Sequence, residues 1–338
     1  MPEIEKNFKK LMLKIGFAML IFVGVFEILA VVWVIADALL AAASVENPVA
    51  AAILSQTIYG LIYAMSFALP AVLLALMTKD DKQPLIKGAS LPKETVLYVF
   101  AGVAMILAFA YVNSILVSPF QINDLIGENW KDGYDQPYEI VLQLITTAVI
   151  PGVFEELMFR GVMLAKLRPY GKTLAILISA LMFSLMHQNS GQFLYAFAAG
   201  ILLGWIATET ESLLLCMIVH FSNNAFSVLE QTARANMQED AFGIAFYLIE
   251  LLIFVLGVAC FVLLIRSYEK KKREQGNDFS AGMFKKELVL KSENADFAIS
   301  PAGAVKLFFA PTVIIFICIA MAQVILSALL SMLGLSLI

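Results

Sequence analysis

Residues 241–266 read AFGIAFYLIELLIFVLGVACFVLLIR, and the only charged side chain in that run before Arg266 is Glu250. A helix needs about 20 mainly apolar residues to cross the hydrocarbon of a bilayer, so this stretch is a membrane span. Lys270, Lys271, Lys272 and Arg273 follow it closely, as cations do where a span emerges on the cytoplasmic side. Outward from here the same pattern repeats. Further spans are expected at about 12–44, 49–77, 95–117, 139–166, 173–187, 192–207, 212–233 and 303–336, nine in all. The first is long enough to tilt or to end in an interfacial turn. The fifth and sixth are short, which suits helices packed inside a bundle.

The composition as a whole agrees. Of 338 residues, 61% are apolar and 15% charged, with mean hydropathy +0.85, against roughly 45–50% and about 25% in soluble domains. A soluble enzyme, a nucleic-acid binder, a disordered chain and a collagen-like rod are excluded. The expected fold class is all-α, a polytopic transmembrane helix bundle that meets membrane lipid and no nucleic acid. The formal net charge of −4 signals no polyanionic partner. Cys216, Cys260 and Cys318 lie in separate apolar runs without a CxxC, so neither a disulfide framework nor a thiolate metal site is expected. No internal repeat suggests a transporter built from two related halves. The N-terminal run lacks a small-residue cleavage site and is expected to stay as an anchor.

Orientation follows from the cations. With the N-terminus inside, cytoplasmic segments hold Lys6, Lys9, Lys10 and Lys14, then Lys79, Lys82, Lys87 and Lys93. Arg160, Lys166, Arg168 and Lys172 follow, and nine more lie between Arg266 and Lys306. Only Lys131 and Arg234 fall outside, and the long outer loop 118–138 is acidic. The C-terminus is then external. The turn at 208–211 breaks the pattern, because Glu209 and Glu211 stand where cations are expected.

Ionisable groups in hydrocarbon are costly and mark function by default. Here they are Glu27, Asp37, Glu155, Glu156, Arg160, His187, His220 and Glu250, and the two histidines are the only ones in the chain. At 1.5 Å per residue from the cytoplasmic helix ends, Glu155 lies about 15–20 Å deep, His187 about 21 Å, His220 about 12 Å and Asn224 about 18 Å. Three helices thus bring polar groups to one layer, which points to an internal pocket that water reaches. Glu156 and Arg160 are i,i+4 and can form a buried ion pair. Glu155 is rotated about 100° away, leaving its carboxylate free for chemistry. Phe183 and His187 share a face, as do His220 and Asn224. Pro151 and Gly152 would kink or loosen the helix beside the glutamates. Glu27, Asp37 and Glu250 are expected to pair across helices or to sit near an interface.

The same residues form three motifs. P-G-V-F-Glu155-Glu156-L-M-F-Arg160 is an EExxxR, Phe183-S-L-M-His187 an FxxxH, and His220-F-S-N-Asn224 an HxxxN. In this order, on consecutive membrane segments, they resemble the CAAX protease and bacteriocin-processing (CPBP, or Abi) family of intramembrane proteases, similar to the type II CAAX prenyl endopeptidase. The likeness covers about 95–265. It implies a protease core (95–266); by hydropathy the rest of the chain is two N-terminal transmembrane helices with a cytoplasmic loop (1–94), a cytoplasmic linker (267–302) and a C-terminal transmembrane helix (303–338), for which no motif vouches.

Carried over residue by residue, the resemblance makes Glu155 the general base for a water that His187 helps to hold. His220 and Asn224 would face the developing oxyanion, and Glu156 and Arg160 would be structural. The substrate would be a lipidated or membrane-embedded peptide, in a prokaryotic cell membrane. No cofactor is favoured. A zinc site on Glu155, His187 and His220 is the alternative, since two histidines and a carboxylate with one open position make a hydrolytic metal centre. Two other classes stay open: a non-catalytic immunity or scaffold protein, and a proton-coupled transporter using the same midplane groups.

Overall fold

In hydrocarbon every backbone N–H and C=O must be satisfied within the chain, so apolar runs of this length become helices. The computed structural model describes residues 2–43, 47–79, 88–117, 136–188, 190–236, 239–274, 299 and 301–332. They are almost wholly helical and contain no strand. The helices are α1 (Glu3–Ala43), α2 (Pro48–Met77), α3 (Thr95–Val117), α4 (Pro137–Tyr170), α5 (Lys172–Met186), α6 (Ser190–Thr210), α7 (Leu213–Asn236), α8 (Glu239–Glu274), α9 (Pro301–Phe308) and α10 (Pro311–Met332).

The chain is an integral membrane protein, and the described residues of each of the nine expected stretches are largely helical. Among the described residues seven helices are long and apolar enough to cross alone, and α9 with α10, bent by 72°, would make an eighth. The fifth stretch departs from the expectation. Helix α5 has 15 residues, about 22 Å of rise against about 30 Å of hydrocarbon, so it does not span by itself. The interior placement expected for the short helices holds for α6, which has 56% of its apolar window buried against 11% for α8. The outer loop 118–135 and most of the linker lie outside the described residues, though α8 runs on through the basic cluster to Glu274.

Helix α4 occupies the middle, with α2, α5 and α7 packed around it. Helices α5 and α6 form an antiparallel hairpin whose close contact depends on Gly200 and Gly204, one turn apart. A Cβ on Gly200 would stand 2.9 Å from Ala180, and one on Gly204 3.2 Å from Ile176. This is the small-residue spacing by which membrane helices approach. Outside this centre, α3 joins α6 and α7 to α8, and α10 lies along α1. There Thr312 Oγ1 donates to Leu13 O (2.9 Å) and Gln323 to Glu27 (2.7 Å), while Ser55 bonds Asp37 across α1 and α2 (2.5 Å). Glu27 and Asp37 thus pair across helices as expected. Glu250 on α8 has Glu230 of α7 as its charged neighbour.

Two of the cations counted on the cytoplasmic side, at the end of the expected span 139–166, are buried. Arg160 has no exposed surface and Lys166 6%, and Lys166 donates to Thr78 O at the end of α2 (3.1 Å). The anomalous 208–211 turn finds its counter-charges on the neighbouring turn: Arg168 pairs with Glu211 (2.6 Å) and Lys172 with Glu209. Acids replace cations there because two cations already stand opposite them.

Candidate active site

Helix α4 is not uniform. Two π-helical segments, Leu144–Val149 and Leu157–Leu164, bracket the α-helical turn Ile150–Glu156 that carries both glutamates. Such segments widen the helix, free carbonyls and recur at functional sites. In a regular helix Thr147 O would accept from residue 151, but Pro151 has no N–H. Asn224 Nδ2 donates there instead (2.9 Å). In the second segment Ser179 Oγ donates to Phe159 O (3.1 Å). Each irregularity is thus completed by a side chain from a neighbouring helix. Gly152 lets α7 come close, since a Cβ would meet Met217 O at 3.3 Å.

The glutamates diverge and then share one imidazole. Glu156 Oε1 accepts from Arg160 Nη1 (2.6 Å) and lies 2.8 Å from His220 Nδ1. A carboxylate only accepts, so Nδ1 carries the proton and Nε2 is turned the other way. There it stands 3.9 Å from Glu155 Oε2. The other oxygen of Glu155 accepts from the Tyr63 hydroxyl of α2. Among the described residues Glu155 Oε2 and Glu156 Oε2 are both buried without a hydrogen-bond partner, and of the two it is Glu155 Oε2 that lies beside His220 Nε2. All these groups are withdrawn from the surface, with Glu155 2%, Glu156 0% and His220 7% exposed.

Arg160 is locked by more than its ion pair. Nη2 donates to Gly200 O (3.3 Å), and the guanidinium lies 4.5 Å from the Phe183 ring centroid. The same ring meets His187 edge-on at 5.0 Å and His220 at 6.0 Å. Phe183 is therefore the wedge around which Arg160 and both histidines are arranged. His187 closes α5, with Nδ1 2.8 Å from Phe183 O. That carbonyl accepts, so Nε2 is left as the available nitrogen. The next residue, Gln188, turns the chain with φ 53°.

The structure brings Glu156, Arg160 and His220 into direct contact, sets Glu155 3.9 Å from His220, joins His187 to them through Phe183, and places Asn224 on a backbone carbonyl of α4. Tyr63, Ser179, Asn223 and Tyr195 were not singled out by the sequence. Asn223 donates to Tyr195 (2.8 Å) and to Asn224 Oδ1 (3.1 Å), which orients the Asn224 amide. A buried tyrosine hydroxyl in an apolar span seeks a partner, but no spacing rule connects Tyr63 to Glu155. Among the described residues no three His, Cys, Asp or Glu side chains form a metal-holding group. Of the set Glu155, His187 and His220, the two imidazoles each contact the Phe183 ring, and each has Nδ1 engaged and Nε2 left open.

Residues 137–226 match the model of a family described as type II CAAX prenyl endopeptidase Rce1-like. No curated protein and no solved structure matches the chain. The matched stretch is narrower than the 95–265 expected, but it contains all three motifs, and over it the resemblance to the CAAX proteases stands. It supports a membrane protease in general terms. Helices α1 to α3 and α8 to α10 lie outside it.

Proposed function

We propose that this protein is an intramembrane endopeptidase that hydrolyses a peptide bond in a membrane-embedded or C-terminally lipidated peptide. The observation that carries the reading is the buried Glu155 Oε2, without a partner among the described residues and 3.9 Å from His220 Nε2. That separation is too long for a direct hydrogen bond, and a buried carboxylate oxygen is rarely left unmet. A water between them would contact both. Glu155 takes one proton from it as the oxygen attacks the scissile carbonyl carbon. The negative charge moves to the carbonyl oxygen, facing the second N–H of Asn224 and His220, whose Nε2 donates there when both ring nitrogens carry a proton. Glu155 then returns the proton to the departing nitrogen, the C–N bond breaks, and a carboxylate and an amine leave. His187 helps to position the water. Glu156 and Arg160 act from behind, Glu156 by fixing the His220 ring and Arg160 by fixing Glu156.

The substrate class follows from the matched family's description together with the depth of the site. The rim of Arg168 and Lys172 faces the cytoplasm in this reading, as the remaining cations require. The test is cleavage of quenched fluorescent membrane peptides, with and without a prenylated C-terminal CaaX, by purified wild type and Glu155→Gln. Metal content is measured on the same samples. Turnover by wild type that is lost in a folded Glu155→Gln supports the reading; equal turnover ends it. Stoichiometric zinc required for turnover would replace the carboxylate mechanism with the metal one. Folded wild type that cleaves no peptide, in a library containing prenylated CaaX, would favour a binding protein.

A further inference from the structure

We infer that Tyr63 of α2 is a positioning residue for the catalytic carboxylate, so that the active centre extends beyond the matched stretch into the N-terminal helices. This rests on the reading of Glu155 as the base. A carboxylate's last torsion is broad and roughly two-fold. Without restraint, either oxygen of Glu155 could turn toward the water. The Tyr63 hydroxyl engages Oε1 and leaves Oε2 as the oxygen facing His220. One oxygen is held and the other reacts, which is the preorganisation that a proton transfer needs.

The bond is not an incidental contact. Around the hydroxyl, the Tyr63 ring is fixed between Phe67 (centroids 5.0 Å apart) and Tyr59 (6.1 Å), and Phe67 packs on Phe22 of α1 (4.8 Å). Gly60, nearly one turn earlier on the same face, lies where α2 crosses the first π segment of α4. A Cβ there would come within 2.8 Å of Ile150 Cδ1 and 3.3 Å of Thr146 Cγ2. The far end of α2 is held to α4 by Lys166 on Thr78 O. Helix α2 is thus anchored to α4 on both sides of Tyr63, and the helix pair that the motifs leave without a role delivers a hydroxyl to Glu155.

The test uses the full chain in detergent and compares wild type, Glu155→Gln, Tyr63→Phe and Tyr59→Phe. Tyr63→Phe keeps the ring and removes only the hydroxyl. A hydrogen bond to a charged group corresponds to about ten- to hundredfold in rate. The expectation is a kcat lower by about that factor with KM within about twofold. The acid limb of the kcat–pH profile is displaced as well, which a loss of folded protein would not produce. Tyr59→Phe stays near wild type. A thermal double-mutant cycle of Tyr63→Phe with Glu155→Ala is expected to be non-additive. Wild-type kcat and pH profile in Tyr63→Phe, with Glu155→Gln inactive, would overturn the inference and leave the protease reading intact. An additive cycle would overturn it too. If wild type cleaves nothing, or Glu155→Gln cleaves equally well, the base assignment fails and the role of Tyr63 fails with it.

Discussion

The middle and the rim of α4 both carry ion pairs, and they are built differently. In the middle, Glu156 and Arg160 have no exposed side-chain surface. His220, Gly200 O and the face of Phe183 meet part of that charge, while Glu156 Oε2 and Arg160 Nε have no hydrogen-bond partner among the described residues. At the rim, the Arg168 and Glu211 side chains are 19% and 57% exposed, and water does the same work. Taking two charges out of water is repaid only when geometry and further hydrogen bonds are good. The buried pair is therefore a device for orienting His220, and the rim pairs are local neutralisation.

That contrast can be broken or sharpened in steps. Arg160→Met should have the largest effect on stability, about 3–5 kcal/mol, because it strands Glu156 as a buried charge. Cleavage should be lost as His220 loses its fixed partner. Unfolding in detergent measures the first and peptide turnover the second. The double variant Glu156→Leu with Arg160→Met should recover much of the stability and none of the activity. Full recovery of turnover would show that the pair orients nothing.

Asn224→Ala comes next. It leaves Thr147 O without its donor, at a cost of about 1–3 kcal/mol. The same substitution in a Pro151→Ala background should cost less, since residue 151 can then supply an N–H. Equal costs in the two backgrounds would mean that Asn224 does not compensate for the proline. Smallest are Lys172→Met and Glu209→Gln, each expected to change stability by under ~1 kcal/mol. That effect should shrink as ionic strength shortens the screening length. A rim variant as damaging as Arg160→Met would erase the distinction.

Much of the fold is legible in hydropathy, because hydrocarbon leaves a chain little choice but helix. The length of α5 is legible too, yet its failure to span is a matter of 15 residues against the bilayer's thickness. Glu156 with Arg160 can be read from i,i+4 spacing because both sit on one helix. The pairing of Glu211 with Arg168 cannot, since it joins two turns brought together by antiparallel packing. Arg160, counted with the cytoplasmic cations and also expected in a buried ion pair with Glu156, follows the second expectation and is among the most buried side chains in the described residues.

Composition and motif spacing alone specify a helical membrane protein with polar groups from three segments at one depth, since both properties are local to a segment. They cannot say which glutamate oxygen is held and which is bare. Nor can they say that both glutamates meet the same imidazole, or that Asn224 repairs a carbonyl left open by a proline on another helix. Those are contacts between α2, α4 and α7, set by small residues that let helices approach and by π turns that change the phase of α4. Only the packed bundle decides them, because a side chain's partner across a helix interface depends on interhelical distance and rotation, which the spacing of residues within one helix does not encode.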